Sequence, residues 1–163
     1  MLYEELQIKL MKSLKPHWSR VISFDIETRI EDPSRFLKNE RILSISLARR
    51  ASGKLMDEDG IKITTFFLDS DSDECEVGLL KSLDNTLGMI RPLCVIGYGI
   101  RQYDIPLLCI KKQHYSLLLW KLIDMCESAV HIDLYHILKY KGYKKLEDAL
   151  SSSEFSSLPL RII

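Results

Sequence analysis

RVISFDIET, residues 20–28, decides how this chain is read. Apolar and polar residues alternate over residues 20–27, so the stretch reads as a strand. Ile22, Phe24 and Ile26 take one face, and Val21, Ser23, Asp25 and Glu27 take the other. Acids two positions apart on a strand share a face with their Cα atoms about 6–7 Å apart, so both carboxylates can converge on one point. Charge at the end of an otherwise apolar strand is costly unless something compensates it. A hard divalent cation with oxygen ligands would do so. The competing reading is an exposed strand end with two solvated acids.

Downstream of a charged loop at 28–40 that contains Pro33, ILSISLAR (42–49) and IKITTFFL (61–68) read as second and third strands. ASGKLMDEDG between them has the Gly and acidic turn residues of an antiparallel hairpin. The acidic stretch Asp69 to Glu76 precedes a helical pattern of Val77, Leu79, Leu80, Leu83 and Leu87 that runs to about Met89. Acids at a helix start complement its dipole, so capping is the plainer account of this cluster and a metal or partner site the sharper one. Pro92 separates this helix from a buried strand, LCVIGY (93–98). A helix is expected from about Tyr103, with YSLLLWKLIDMC (115–126) continuing it after His114. AVHIDL (129–134) reads as a fifth strand leading into a helix, LYHILKY.

Asp104 opens its helix directly after a buried strand, with Pro106 in the first turn; taken alone, it reads as a helix-capping Asp. Three strands on short connections and two reached through helices make an α/β mixed sheet with helices on its faces. The expected order is 3-2-1-4-5, because the strand bearing Asp25 must lie beside the one ending near Tyr98 to bring Asp104 within reach.

The flanks are simpler. Leu2, Leu6, Leu10 and Leu14 form one stripe of an amphipathic N-terminal helix, expected to pack on a core or a protein partner and to end at Pro16. The stretch SSSEFSS (151–157) is a serine-rich tail. The organisation expected is therefore a helix at 1–16, one domain at 17–150 and a tail at 151–163.

With 23 basic and 23 acidic residues, the formal net charge is zero, which argues against a general nucleic-acid coat protein. A local basic strip at Lys139, Lys141, Lys144 and Lys145, beside Tyr140 and Tyr143, could track a phosphate backbone or form a solvated helix face. No apolar run reaches the roughly 18 residues of a membrane span, and the charged N-terminus is unlike a signal peptide. Cys75, Cys94, Cys109 and Cys126 form no CxxC pair, and the last three sit in apolar runs where reduced core thiols are expected. A cytoplasmic location is the default expectation. His131 and His136, five apart across a strand–helix junction, are expected to pack or face solvent rather than share a metal. Asp133, near the sheet end, is expected to serve as a junction or capping residue, the alternative being a place close to the acidic site.

Taken together, these segments resemble the 3′–5′ exonucleases of the RNase H-like superfamily that use four acids, in particular the exonuclease domain of family-B DNA polymerases. FDIET (24–28) is similar to that family's first motif, which supplies two metal-binding acids. YGIRQYDIPLL (98–108) is similar to the second, in which an acid follows an aromatic residue at a helix start. HIDLYHIL (131–138) and KKLEDAL (144–150) resemble the segment leading toward the third.

The resemblance implies an RNase H-like mixed five-stranded sheet with helices on both faces, and a two-metal site for Mg²⁺ or Mn²⁺ on Asp25, Glu27 and Asp104. It implies that Asp25 bridges both ions, Glu27 helps hold the first and Asp104 the second, with Thr28 and Tyr103 touching the 3′ nucleotide. The substrate implied is the 3′ end of a single strand, DNA favoured over RNA, as in replication or repair. Two departures stand out. Gly99 occupies a position where the family usually carries Asn, and the third motif, a Tyr or His followed by the fourth acid, is not evident before Ile163. Tyr143 and Glu147 have a similar spacing but fall too early in the chain. The tail thus reads as truncated before the third motif. The competing expectation is a catalytically degenerate fold that binds nucleic acid or protein.

Overall fold

The computed structural model describes residues 13–30, 39–50 and 60–140, together with Lys9, Leu37, Gly142, Lys145, Asp148 and Ser151. The leucine stripe before Ser13, the hairpin connection at 51–59, Tyr143, Glu147, Lys141, Lys144 and the tail after Ser151 lie outside the described residues.

The first strand, β1 (Val21–Ile30), buries Ile22, Phe24 and Ile26 and leaves Asp25 and Glu27 exposed, as the alternation requires. It runs three residues beyond the expected end and pairs antiparallel with β2 (Glu40–Arg50), which pairs antiparallel with β3 (Ile61–Phe67). On its other edge β1 pairs in parallel with β4 (Cys94–Gly97), which pairs in parallel with β5 (Val130–Asp133). The sheet order is β3-β2-β1-β4-β5, the expected RNase H-like arrangement.

Between β3 and β4 lies helix α1 (Asp73–Ile90), whose Leu79, Leu80, Leu83 and Leu87 enter the main core with Ile22, Phe24, Ile45 and Leu47. Each such fully buried side chain contributes about 1.5–3 kcal/mol of transfer free energy. Ser72 caps the helix by accepting the Cys75 N–H at 3.2 Å; the chain leaves it through Arg91, in a left-handed conformation, just before Pro92. Helix α2 (Asp104–His114) and helix α3 (Trp120–Ser128) complete this face, with Leu107, Leu108, Leu122 and Met125 in the same core. A 3₁₀ turn at Lys15–Arg20 covers the opposite face near β4, where Leu14 and Trp18 pack with Val21, Cys94, Ile96 and Ile132. Helix α4 (Leu134–Tyr140) follows β5 without a break.

One expectation about the helices is corrected. YSLLLWKLIDMC does not prolong α2. Ser116 takes a left-handed conformation (φ 51°), Leu117 to Leu119 are not helical, and a new helix starts at Trp120. Asp84 of α1 stabilises that start by accepting the amides of Lys121 and Leu122 at 2.9 and 2.8 Å. The apolar period spans the gap because both segments face the same core.

The cysteines also depart from expectation. Cys94 is buried, but Cys109 is exposed and Cys126 only half-buried. Among the described residues, no helix is long and apolar enough to cross a membrane.

Candidate functional site

The parallel register of β1 on β4 ends with Ser23 opposite Ile96. β4 ends one residue later, at Gly97, while β1 runs on, so the Ile26 N–H would face no strand on that edge. Asp104 fills that gap, accepting the Ile26 N–H on Oδ1 at 3.1 Å. Tyr103, not Asp104, holds the cap position of α2. The capping reading of Asp104 is therefore corrected: its carboxylate bonds the neighbouring strand as well as its own amide in the first turn of the helix.

The loop that carries Asp104 there needs two glycines for different reasons. A Cβ on Gly97 would lie 2.8 Å from the Phe24 carbonyl oxygen and 2.2 Å from Ile100 Cγ2, so only hydrogen fits. Gly99 has φ +74°, the left-handed region that glycine enters at least cost. Its carbonyl accepts the amides of Gln102 and Tyr103, closing the turn onto α2. Asp133 pins the same loop from β5, taking the amides of Gly99, Arg101 and Tyr135 at 2.8, 3.1 and 3.0 Å. The junction role expected of Asp133 is what its contacts describe.

Asp104 is only 4% exposed, and its carboxyl is pushed up to about 6. Burial is the main cause, the neighbouring Asp25 carboxylate the next, and Asp133 adds to it against the opposing Ile26 hydrogen bond. Asp25 and Glu27 project from one face of β1, opposite Ser46 and Ser44. The β1–β2 register shifts directly after Glu27, where Leu43 is passed over and Thr28 pairs with Ile42. Asp25 and Asp104 thus stand close enough for their charges to interact. Among the described residues, however, no three His, Cys, Asp or Glu side chains are gathered tightly enough to hold a metal ion. The donor set of Asp25, Glu27 and Asp104 is all oxygen, which suits a hard divalent cation.

Thr28 and Tyr103 do come together, with their hydroxyls 2.6 Å apart. Both also reach Glu40, a residue the sequence reading did not single out. Tyr103 donates a short hydrogen bond to Glu40 Oε2, and Thr28 lies 3.3 Å from the same oxygen. Leu37 N–H donates to Glu40 Oε1 at 3.0 Å, and Glu40 is 1% exposed. Burial first, and then the bond to Glu40, push the Tyr103 phenol up to about 12, so it remains a donor at neutral pH. The signal for Glu40 was thin, being one acid at the end of a charged loop.

A second charged centre was also missed. Glu76 of α1 is fully buried and accepts the Ile42 N–H at 2.8 Å, the Arg41 guanidinium at 3.0 Å and the Lys111 ammonium at 3.1 Å. Tyr115 adds a short hydrogen bond to it. Arg41 also pairs with Asp71 and Asp73, at 3.3 and 2.9 Å. The acidic stretch before α1 thus does more than cap the helix, since it ties α1 to β2 and α2. The histidines do not converge: His131 contacts the Met125 carbonyl and His136 contacts Gln102. Of the basic strip, Lys139 is exposed over the Tyr135 ring.

No protein-family model matches the sequence, and no curated protein matches it either. Among solved structures, the chain is similar to the family B DNA polymerase from the hyperthermophilic archaeon Pyrobaculum calidifontis, with a TM-score of 0.55 and 17% sequence identity. The match covers 73% of this chain and 16% of the polymerase chain, so this protein spans a small part of that molecule's length. The likeness is one of fold.

Proposed function

We propose that this chain is a metal-dependent 3′–5′ exonuclease-type domain that hydrolyses phosphodiesters at a nucleic-acid 3′ end, DNA favoured. The observation that carries this reading is Asp104, a buried carboxylate raised to about 6 beside Asp25. Among the described residues, no lysine or arginine answers its charge. Such a pair of acids is poorly stable alone and well suited to a cation. Asp25, Glu27 and Asp104 would hold Mg²⁺ or Mn²⁺. Bound there, the ions supply Lewis-acid polarisation of the phosphate and a water of lowered pKa. Thr28 directly follows Glu27 and Tyr103 directly precedes Asp104, and these two would receive the terminal nucleotide. The fold likeness to part of a DNA polymerase supports a nucleic-acid substrate.

The second reading is a degenerate exonuclease fold kept as a nucleic-acid- or protein-binding module of replication or repair. The hydroxyls of Thr28 and Tyr103, already engaged by Glu40, favour it.

Release of mononucleotides from a 3′-labelled single-stranded oligonucleotide, with Mn²⁺ or Mg²⁺, tests the first reading against the second. Asp25→Ala is expected to lower hydrolysis on the order of 100-fold or more. It should also abolish the rise in Tm that Mn²⁺ gives the parent chain through binding to the folded state. Equal hydrolysis and equal Mn²⁺ response in both proteins would remove the site assignment. Tight oligonucleotide binding without cleavage would select the binding module.

A further inference from the structure

We infer that Cys109 and Cys126 form an oxidisable thiol pair, closed by a peroxide-class oxidant into a disulfide that ties α2 to α3. Ile105, Cys109 and Lys112 follow the i, i+4, i+7 spacing of one face of α2, and Leu122 and Cys126 the i, i+4 spacing of one face of α3. These faces meet around a cavity of about 220 Å³ that both cysteines line. Within it Cys109 lies close enough to Cys126 for the two thiols to act on each other. Neither remaining cysteine is so placed. Cys94 is fully buried beneath the 3₁₀ turn, and Cys75 lies at the start of α1, 3.1 Å from the Ser70 hydroxyl.

Exposure sets the order of events. Cys109 is open to solvent, whereas burial, and then Cys109 itself, push the Cys126 thiol up to about 12. Cys109 therefore meets the oxidant first. Its thiolate attacks one peroxide oxygen, the O–O bond breaks, and a sulfenic acid and one water result. The Cys126 sulfur then displaces the sulfenic hydroxyl, which leaves as a second water with the Cys126 proton. Two thiols and one peroxide give one disulfide and two waters. The bridge would lie one helical turn and a fraction from Asp104, on the helix that carries it.

The test treats the full chain with a small excess of hydrogen peroxide. Expected are an intact mass lower by two hydrogen atoms and a non-reduced peptide map that joins Cys109 to Cys126. Tm should rise by about 5 °C or more, since the bridge closes a loop of the unfolded chain. Dithiothreitol should reverse all three effects. Cys109→Ser and Cys126→Ser should each abolish them, and Cys75→Ser should leave them intact. None of these readouts depends on nuclease activity, so they separate this inference from the proposed function. Gain of two oxygen atoms on Cys109 with Cys126 still free would overturn it, as would a disulfide between two molecules.

Discussion

Of the four acids buried among the described residues, Glu76 and Asp104 are treated in opposite ways. Glu76, 0% exposed, lies among an arginine, a lysine, a phenol and a backbone amide. Asp104, 4% exposed, has two backbone amides, that of Ile26 and its own, and faces two further carboxylates, Asp25 and Asp133. The first centre is electrically closed, with its donors supplied by β2, α2 and the residue just after α2. The second is left open, and open buried charge is retained where something outside the chain completes it. The contrast separates a structural acid from a candidate functional one, although in sequence both are acids near the start of a helix.

The largest expected effect breaks the closed centre. Glu76→Ala leaves Arg41 and Lys111 without their shared carboxylate and orphans the Ile42 N–H. Loss of one partner from a buried ion pair costs about 3–5 kcal/mol. Urea unfolding should show that loss, while the Mn²⁺-induced rise in Tm, referred to the variant's own Tm, should persist. A cost below about 1 kcal/mol would mean that the network is solvated and that the contrast with Asp104 is overstated.

Relief of the open centre should have the opposite sign. Asp104 has its folded value raised to about 6 from the ordinary carboxyl value of 3.8, so the folded state holds the proton more tightly than the unfolded chain. Its contribution to stability is therefore fully present below about pH 4 and is lost as pH rises through about 6. Asp104→Asn keeps an oxygen for the Ile26 N–H and carries no charge at any pH. At pH 7.5 it should be more stable than the parent by about 1–3 kcal/mol, and near pH 4 the two should coincide. The substitution should also erase the Mn²⁺ response. A variant that is less stable than the parent at pH 7.5 would show that the carboxylate is compensated after all.

Much of the architecture was legible because the period-two pattern of RVISFDIE and the apolar run of LCVIGY leave few ways to arrange a sheet. The reach required between Asp25 and Asp104 then puts β1 beside β4. The gap between α2 and α3 was not legible, because a turn that keeps the same face inward preserves the helical period. The partners of Glu76 were hidden for a related reason: Arg41, Glu76, Lys111 and Tyr115 come from separate elements, and only the folded sheet assembles them. At the candidate site, local pattern singled out Asp25, Glu27 and Asp104 for attention. It could not show that Asp104 would spend one oxygen on the Ile26 amide, since that depends on where β4 stops.

Glu40 is the case that sharpens the comparison, because it is as buried as Glu76 yet contacts the two residues expected to touch a substrate. Tyr103→Phe removes one hydroxyl donor from Glu40 and leaves it the Thr28 hydroxyl and the Leu37 amide. A single hydrogen bond to a charged acceptor, lost while others remain, costs about 1.5–3 kcal/mol. Thr28→Val should cost a similar amount, and the two losses should not add, because the two hydroxyls also contact each other. Urea unfolding of both single variants and the double variant measures that coupling. If it is present, Glu40 is a closed centre like Glu76, and its hydroxyl partners are part of the scaffold that holds Asp104 against β1. If Tyr103→Phe is neutral in stability but weakens binding of a single-stranded 3′ end about tenfold, the phenol belongs with the open centre. The line between structural and functional acids would then fall between Glu40 and Tyr103.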